Sequence, residues 1–417
     1  MSSYIPRLLD TTLQDRLQWV GAVVIDGPKA VGKTETGKQL ASSAVYLETD
    51  QTQRQLALAD PQLVLEGPTP RLLDEWQTVP SLWNQVRHVV DSRQQKGQFI
   101  LTGSASPSDD ITRHTGTGRF ARLRMHPLTL QETQHSSGEV SLKDVLDGTP
   151  PRSVDSSPNL TDIVERMIIG GWPMSHNLST ENAGQYAKEY LKQIARLDIA
   201  GFDGSHHNPT KVLSLLTSLA RNTATEASIS TLAADAGGSS GPLHRTTVDS
   251  YLNSLERVYI LEIQKAWSPK LRSRTPLREA PKRHLVDTSL VAAALGIRSP
   301  QQLLGDPETL GLLFESLAVQ QLRAFADLMD AEVFHFRAKN GLEVDAIVER
   351  PDGAWAAFEI KLGPGLIDDA AANLKKFDQA LDQRGKPYSL LAVIVPTGPS
   401  YMRPDGIGVI SLTTLGN

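Results

Sequence analysis

The most constraining feature of the sequence is a glycine-rich loop between a strand-like run and a helix-like run. The segment Gly21-Ala-Val-Val-Ile-Asp26 has the length and composition of a buried parallel strand. It leads into Gly27-Pro-Lys-Ala-Val-Gly-Lys-Thr34, which matches the phosphate-binding P-loop pattern, and then into a helix-like stretch. Glycines let the backbone N–H groups of such a loop surround phosphate oxygens, and the helix N-terminus adds its dipole. The sequence therefore predicts a nucleotide site, with a plain glycine-rich turn as the weaker alternative.

Individual residues of this loop have distinct predicted roles. We expect Lys33 to reach the β- and γ-phosphates of ATP, and the Thr34 hydroxyl to ligate Mg²⁺. The residues predicted to bind ATP or ADP are Gly27, Pro28, Lys29, Ala30, Val31, Gly32, Lys33, Thr34 and Glu35.

The segment Arg71-Leu-Leu-Asp-Glu75, about 40 residues after the loop, ends a short apolar stretch in two carboxylates. In a nucleotide-hydrolysing site, Asp74 would hold Mg²⁺ directly or through water, and Glu75 would polarise the attacking water. The alternative is an acidic strand end or helix start without a catalytic role.

Two further polar positions are candidates for contact with the nucleotide. The strand-like run 99–104 ends in hydroxyls, and we expect Thr102 to contact the γ-phosphate or the attacking water. A simple strand-to-loop turn is the alternative. Arg119 follows Thr115-Gly-Thr-Gly, which predicts an arginine finger acting in the same chain or on a neighbouring subunit. An exposed surface arginine is the alternative for this residue.

These segments together resemble the AAA-type ATPase module that precedes a DUF4143 domain in many bacterial and archaeal proteins. The resemblance is carried by residues 27–34, 72–75, 100–104 and 118–119, and by Pro127-Leu-Thr-Leu-Gln-Glu132. The usual spelling of the last element is close to PLSF-E, from which Leu130 and Gln131 depart. The resemblance covers residues 1–135 and implies a parallel sheet of the RecA/AAA type. Such modules often assemble, so a homo-oligomer is an open prediction.

The middle of the sequence predicts a linker followed by helical segments. Residues 135–160 are polar and rich in turn-forming residues, which indicates a linker or an irregular loop. The segment Ile168-Ile-Gly-Gly-Trp-Pro173 predicts a tight turn that seats an aromatic side chain. Together with residues 190–198, this segment resembles the start of DUF4143.

Residues 210–267 show the order of a winged helix–turn–helix: a helix, a short helix, a Gly/Ser turn, a third helix and a hairpin. One face of the third helix carries residue types that can contact phosphates or base edges, namely Arg245, Thr246, Asn253 and Arg257. The following segment, 265–283, contains seven basic residues and one acidic residue. This local excess predicts DNA or RNA contact. A protein-docking module with a solvated basic face remains the alternative.

The C-terminal third has a helix–three strands–helix–strand order and a candidate metal-binding cluster. Asp345 and the pair Glu359-x-Lys361 lie on neighbouring strand patterns joined by a turn, so adjacent strands can bring them face to face. With Glu315 from the preceding helix, Asp345 and Glu359 could hold one or two Mg²⁺ ions, and Lys361 would position the attacking water.

This pattern resembles the PD-(D/E)xK phosphodiesterase superfamily, with Val344-Asp345 in place of Pro-Asp. The resemblance implies a nuclease-like fold with Asp345, Glu359 and Lys361 as catalytic residues. Two alternatives stay open. One is a chance alternation of Glu and Lys on an exposed strand edge, and the other is a nuclease fold that serves as a docking module.

The amino-acid composition limits which other classes of protein and of binding site are possible. Lys and Arg (42) against Asp and Glu (47) give a net charge of −5, so nucleic-acid binding requires a local basic patch. The absence of cysteine excludes disulfides, Cys-ligated zinc, iron–sulfur clusters and a cysteine nucleophile. No run approaches 18 apolar residues, so we expect no transmembrane helix. The start, Met1-Ser-Ser-Tyr-Ile-Pro-Arg, lacks a signal-peptide pattern, and we expect a cytoplasmic protein.

We therefore predict an α/β chain of four segments. They are a P-loop ATPase domain with a RecA/AAA-like parallel sheet (1–135), a linker and helical segment (136–200), a winged-helix-like domain (201–280) and a restriction-nuclease-like domain (281–417). The leading functional hypothesis is a Mg²⁺-dependent ATPase coupled to nucleic-acid binding, with metal-dependent DNA cleavage as an open extension. The alternative is a nucleotide-gated regulatory or interaction module with a non-cutting nuclease fold. A small-molecule kinase is a weaker third hypothesis, because of the Asp74-Glu75 pair and the long appended segments.

Overall fold

The computed structural model of the 417-residue chain describes residues 4–105, 117–154, 158–198, 208–268, 280–381 and 388–417. These residues divide into two units. Unit 1 contains the described residues up to His126 together with residues 254–260, and unit 2 contains the rest. No helix in the described ranges is both long and apolar enough to cross a membrane.

Unit 1 is built on a five-stranded parallel sheet, which confirms the predicted N-terminal fold class. Its strands are β1 (Ala22–Asp26), β2 (Ser43–Tyr46), β3 (Arg71–Asp74), β4 (Phe99–Gly103) and β5 (Phe120–Arg124). Its helices are α1 (Leu9–Leu17), α2 (Lys33–Leu40), α3 (Gln51–Ala59), α4 (Pro61–Leu65) and α5 (Leu82–Arg93). The strand order is β2-β3-β4-β1-β5, and every neighbouring pair is parallel.

The sheet of unit 1 is covered by apolar packing, as a parallel sheet requires. Every residue of β1 is buried, which explains its unbroken apolar run. One face packs Val24 and Leu101 in a cluster with Leu82 and Val86 of α5. Because all five strands run in one direction, the residues at the carboxyl ends of β1, β3 and β4 meet at a single edge. This edge carries the predicted nucleotide site.

Unit 2 begins with short elements and a helical region. In chain order its elements are β6 (Val140–Ser141), α6 (Leu142–Leu146), α7 (Leu160–Ile169), α8 (Thr180–Gln193), α9 (Pro209–Arg221), α10 (Ile229–Gly237), α11 (Arg245–Arg257), β7 (Leu261–Gln264), β8 (Lys282–Leu285), α12 (Thr288–Leu295) and α13 (Pro300–Leu304). Residues 254–257 of α11 fall in unit 1. Strands β7 and β8 pair in antiparallel fashion, and α12 packs against α7, α8 and α9.

A six-stranded sheet and two helices complete unit 2. The elements are α14 (Pro307–Asp327), β9 (Glu332–Arg337), β10 (Glu343–Glu349), β11 (Trp355–Ile360), α15 (Ile367–Ala380), β12 (Leu390–Val395), β13 (Tyr401–Met402), β14 (Gly408–Ser411) and β15 (Leu415–Gly416). The sheet order is β13-β14-β12-β11-β10-β9. The run from α14 to β12 has the helix–three strands–helix–strand order expected from the sequence, and α15 packs Leu374 and Phe377 onto the sheet.

The structure corrects the predicted linker and domain boundaries. Residues 136–154 are part of unit 2: β6 pairs in parallel with β15, and Ser153 bridges to Ser400. The polar composition was misleading because these partners lie at the far end of the chain. The predicted boundary at residue 281 also separates two paired strands, β7 and β8. Apart from residues 254–260, which fall in unit 1, the described residues of the three segments predicted after residue 135 belong to unit 2.

The predicted aromatic-seating turn is present at the end of α7. Gly170 has φ 74° and ψ −179°, a conformation that is nearly exclusive to glycine. A Cβ atom at Gly170 would lie 2.3 Å from Oδ1 of the buried Asp287. The other carboxylate oxygen of Asp287 accepts a hydrogen bond from the backbone N–H of Gly171 (2.9 Å). Trp172 is fully buried, and its Nε1 donates to the Ser289 hydroxyl (3.0 Å).

Replacing Gly170 with alanine is expected to lower the free energy of unfolding of unit 2 by about 3 kcal/mol, because backbone strain adds to a clash with a buried carboxylate. Gly184 is the control, since it lies inside α8 and an added Cβ atom there would have no neighbouring atom within 4 Å. Its replacement with alanine should raise stability by about 0.5–1 kcal/mol through helix propensity. Urea unfolding followed by circular dichroism measures both variants. Equal effects of the two substitutions on the free energy of unfolding would contradict the tight turn at Gly170 and its close contact with Asp287.

Candidate functional site

The loop between β1 and α2 has the conformation that the P-loop pattern requires. Gly32 caps α2 with φ 103°, and Ala30 also has a positive φ of 63°. Gly27 lies so close to the backbone of Met125 that a Cβ atom would be 2.4 Å from the Met125 carbonyl oxygen. These positions explain why the pattern needs glycine at both ends of the loop. Pro28 and Val31 are buried, whereas Lys29 and Ala30 are exposed.

Lys33 lies on the inner side of this loop. Its side chain is buried, and Nζ donates hydrogen bonds to the carbonyl oxygens of Gly27 (2.9 Å) and Pro28 (2.7 Å). Burial lowers the pKa of Lys33 to about 8, because desolvation disfavours the ammonium form. The ammonium is therefore placed at the loop, where anionic phosphate oxygens would be better partners than neutral carbonyls.

Asp74 brings together hydroxyl groups from two other elements. Its Oδ1 accepts hydrogen bonds from Oγ1 of Thr34 (2.7 Å) and from Oγ1 of Thr102 (2.6 Å). Thr34 lies in the first turn of α2, and Thr102 lies on β4, the strand next to β3. The three residues singled out in three separate motifs thus form one contact group. A hydroxyl beside a carboxylate is an all-oxygen donor set suited to Mg²⁺, so Thr34 and Asp74 fit this ion.

Glu75 is held by two residues that sequence reasoning did not select as site residues. It has a left-handed backbone conformation (φ 52°, ψ 47°), and its Oε2 accepts hydrogen bonds from Nε2 of Gln77 and from Oγ of Ser104 (2.8 Å). Its backbone N–H also donates to the Thr102 hydroxyl (3.3 Å). The only sequence signal for Ser104 was its place among the hydroxyls that end β4.

An ion pair between a buried carboxylate and a partly exposed arginine at the same sheet edge was also missed. Asp26, the last residue of β1, is buried, and its Oδ2 accepts from Nη1 of Arg122 (2.7 Å). Burial raises the pKa of Asp26, and the nearby guanidinium groups of Arg122 and Arg124 oppose this shift. Within unit 1, β5 therefore places Arg122, its first arginine, beside the residue that precedes the loop.

The structure does not bring Arg119 to the phosphate loop of its own chain. Arg119 precedes β5, and its carbonyl oxygen accepts from the N–H of Ala22, the first residue of β1. It therefore lies at the amino edge of the sheet, opposite the loop, where its Nε forms an ion pair with Oδ1 of Asp91 (2.8 Å). An arginine finger from Arg119 stays a prediction only for a neighbouring subunit. Glu35 is exposed and pairs with Lys38 (2.7 Å), so only its backbone can serve the loop.

The three residues of the predicted nuclease-like motif, Asp345, Glu359 and Lys361, do lie together in unit 2. Nζ of Lys361 is 3.0 Å from Oδ2 of Asp345 and 2.6 Å from Oε2 of Glu359. The backbone N–H of Ile360 also donates to Oδ2 of Asp345 (2.8 Å), and Nδ2 of Asn373 donates to Oε1 of Glu359 (2.7 Å). Asp345 on β10 and Glu359 on β11 are brought together by antiparallel pairing, as the sequence predicted.

Glu315 joins the cluster through a lysine that was not predicted there. Nζ of Lys282 on β8 is 2.5 Å from Oε1 of Glu315 and 3.8 Å from Oδ1 of Asp345. Burial raises the pKa of Glu315 to about 7 and that of Glu359 to about 7. Burial also opposes ionisation of Asp345, but Lys282 and Lys361 outweigh it and lower the pKa of this carboxyl group.

The described residues contain no group of three acidic or histidine side chains arranged to hold a metal ion. The predicted metal ligands Glu315, Asp345 and Glu359 instead face ammonium groups. The arrangement in unit 2 therefore does not fit the predicted metal site.

The basic segment 265–283 differs from the predicted DNA footprint where it is described. Lys282 is turned inward, and Nη1 of Arg283 donates to the carbonyl oxygen of Ala227 (2.8 Å). Lys265 is exposed. The basic residues between 269 and 279 lie outside the described residues. A count of basic residues in segment 265–283 does not show which side chains point into the protein and which point to solvent.

Comparison with known families divides the chain into three matched segments. A family model described as an AAA domain matches residues 20–134, and the domain of unknown function DUF4143 matches residues 310–415. A second domain of unknown function, DUF8612, matches residues 160–301. The predicted order of an AAA ATPase domain followed by DUF4143 is confirmed. The expectation that DUF4143 starts near Gly170 is wrong, because that region matches DUF8612.

The chain is similar to two curated proteins and to one solved structure at low sequence identity. Uncharacterised proteins of Mycobacterium bovis and Mycobacterium tuberculosis are each 27% identical over 357 residues, covering 84% of this chain and 72% of theirs. A Walker-type ATPase of Pyrococcus abyssi aligns with 10% identity and a TM-score of 0.43, covering 70% of this chain and 96% of that one. The AAA match supports ATP hydrolase activity for the N-terminal module.

Proposed function

Because residues 20–134 match an AAA domain, we propose that the N-terminal module hydrolyses ATP with Mg²⁺ at the edge formed by the P-loop, Asp74 and Glu75. The single observation that carries this proposal is the meeting of Thr34, Asp74 and Thr102 around one carboxylate oxygen. Three separate motifs converge there, which a chance glycine-rich turn would not produce. Mg²⁺ held by Thr34 and Asp74 would neutralise charge on the β- and γ-phosphate oxygens.

Different residues of this site bind the phosphates, activate the attacking water and position the catalytic carboxylates. The backbone N–H groups of residues 27–34 bind the phosphates, and Lys33 exchanges its two carbonyl partners for phosphate oxygens. Glu75 accepts the proton of the attacking water. Gln77 and Ser104 fix the carboxylate of Glu75, and Thr102 orients Asp74 through its hydroxyl. Arg119 would serve a neighbouring subunit's nucleotide if the protein assembles.

We further propose that unit 2 contacts nucleic acid through a winged helix. The order α9, α10, α11 and the antiparallel β7–β8 pair support this fold. Arg245, Thr246 and Asn253 are exposed on α11, where they can reach phosphates or base edges. Lys282 and Arg283 do not contribute, because they are engaged within unit 2. The nucleotide state of the AAA module would regulate this contact.

The nuclease-like part is proposed to be a non-cutting module, which is the alternative that the sequence left open. The order of α14, β9, β10, β11, α15 and β12 supports the nuclease-like fold. The chemistry of cleavage needs a metal-activated water, and two ammonium groups face the carboxylates that would hold the metal.

One gel experiment tests both parts of this proposal. Supercoiled plasmid is incubated with protein and Mg²⁺ or Mn²⁺, with ATP or ADP. The plasmid should be retarded, to a different extent with the two nucleotides, and should not convert to the open-circular form. The exchange of Arg245 for glutamate should weaken retardation by placing a negative charge on α11.

Contrary outcomes are distinct for each part. Nicking that disappears in both Asp345→Ala and Lys361→Ala would show that the module cuts. Nicking that survives both substitutions would come from another site or a contaminant. Plasmid that migrates unchanged under every condition would contradict the proposed nucleic-acid contact.

A further inference from the structure

Lys282 is an unusual residue for the first position of a strand, because its side chain is only 8% exposed. Lysine is almost never buried without a charge partner. Its Nζ reaches Oε1 of Glu315 on α14 (2.5 Å) and approaches Oδ1 of Asp345 on β10 (3.8 Å). These are two of the three carboxylates that the sequence predicted as metal ligands.

A second ammonium serves the other side of the same cluster. Lys361 contacts both Asp345 and Glu359. Three carboxylates thus face two ammonium groups, and Asp345 lies between the two lysines. A divalent cation bound to Asp345 and either neighbour would therefore lie next to buried positive charge, which repels it.

The backbone around Lys282 is fixed to the elements that carry these carboxylates. His284, two residues along β8, is buried, and its ring contacts Oε1 of Gln264 (3.0 Å) and the hydroxyl of Ser316 (3.1 Å). Nε2 of Gln264 donates to the carbonyl oxygen of Asp345 (3.0 Å). Lys282 is therefore set in place by a polar network and not by its own ion pairs alone.

We infer that the Lys282 ammonium occupies the cation position of the Glu315–Asp345 pair, so that the cluster is an internal ion-pair lock and excludes divalent metal. Displacing Lys282 would leave a buried ammonium without its partners, which is strongly unfavourable. The lock fastens the β7–β8 pair to the nuclease-like sheet. This inference deepens the proposal of a non-cutting module by naming the residue that makes it so.

The test is Mn²⁺ binding to the full-length, nucleotide-free protein, measured by the electron paramagnetic resonance signal of free Mn²⁺. The variants are Lys282→Met, the double variant Lys282→Met/Asp345→Asn, and Asp345→Asn alone. Lys265→Met is the matched control, because Lys265 is an exposed lysine close to the same strand pair. Mn²⁺ bound at Asp74 contributes equally to variants with and without Asp345, so it does not affect the difference in Mn²⁺ binding between them.

We expect wild type and Lys265→Met to show no Mn²⁺ binding that depends on Asp345. Lys282→Met should gain one Mn²⁺ site, with an affinity at least about tenfold higher than that of wild type for Mn²⁺ at this cluster. The double variant Lys282→Met/Asp345→Asn should lack this site again. A site in wild type that depends on Asp345, or no gain in folded Lys282→Met, would overturn the inference. If Lys282→Met does not fold, the comparison of wild type with Asp345→Asn decides alone. The readout is metal binding, so it is separate from the nicking result.

Discussion

Replacing Lys33 with alanine is expected to weaken ATP binding at least about a hundredfold. In the structure its ammonium lies inside the loop and donates to two carbonyl oxygens. In the complex it would instead make charge-assisted hydrogen bonds to two phosphate groups, each worth about 1.5–3 kcal/mol. Loss of both contacts accounts for the expected change in affinity. Equilibrium dialysis with labelled ATP and Mg²⁺ measures it directly.

The control for this variant is Lys38→Ala. Lys38 lies on the same helix, but its side chain is partly exposed and pairs with Glu35. Its removal should leave ATP affinity unchanged within about twofold, because an exposed pair of this kind contributes at most about 1 kcal/mol to stability and does not face the loop. Equal loss in both variants would point to a damaged helix, and unchanged affinity in Lys33→Ala would remove the P-loop assignment.

Replacing Glu75 with glutamine is expected to lower kcat by about a hundredfold or more while ATP still binds. A general base contributes about 10²–10⁴-fold to a rate, and glutamine keeps the shape but cannot accept the proton. Gln77 and Ser104 both donate hydrogen bonds to Oε2 of Glu75. The side-chain amide oxygen of glutamine at position 75 can still accept part of these hydrogen bonds. Steady-state phosphate release and ATP binding are measured on the same preparation.

Two comparison variants sharpen this result. Ser104→Ala removes one donor to Glu75 without removing the base, so it should lower kcat less than Glu75→Gln and leave ATP affinity unchanged. Glu66→Gln is a matched exchange at an exposed glutamate of unit 1 and should leave turnover at the wild-type level. Normal turnover by Glu75→Gln would show that another group activates the water.

Contiguous motifs explain why the core residues of the proposed nucleotide site could be predicted to lie together. Residues 27–34 dictate a local backbone path, and a strand that ends in Asp74-Glu75 reaches the same edge in any parallel sheet. Gln77 and Ser104 could not be selected because their contact depends on the left-handed backbone of Glu75 and on the β3–β4 register. Neither is visible in residue types.

Arg119 shows how strand direction limits a prediction from sequence. Its loop looked suited to a finger, but β5 is parallel to β1, so the residue before β5 lies at the edge away from the loop. Arg122, three residues later, lies closer to the loop and pairs with Asp26. The sequence did not state the direction of β5, and the choice between these arginines depended on it.

Unit 2 shows the same limit for charge. The proximity of Asp345, Glu359 and Lys361 could be predicted because the sequence pattern indicates the hairpin that pairs their two strands. Lys282 was counted as part of a basic surface, although it is turned inward to Glu315. Long-range pairing decides this orientation, as it decides that residues 136–154 pack within unit 2 instead of forming a linker.

The most direct measurement is a calorimetric titration of the full-length wild-type protein with ATP in the presence of Mg²⁺. We expect a saturable heat corresponding to one ATP per chain, and a clear loss of affinity when Mg²⁺ is replaced by a chelator. The absence of any binding heat at ATP concentrations up to several millimolar would contradict the account.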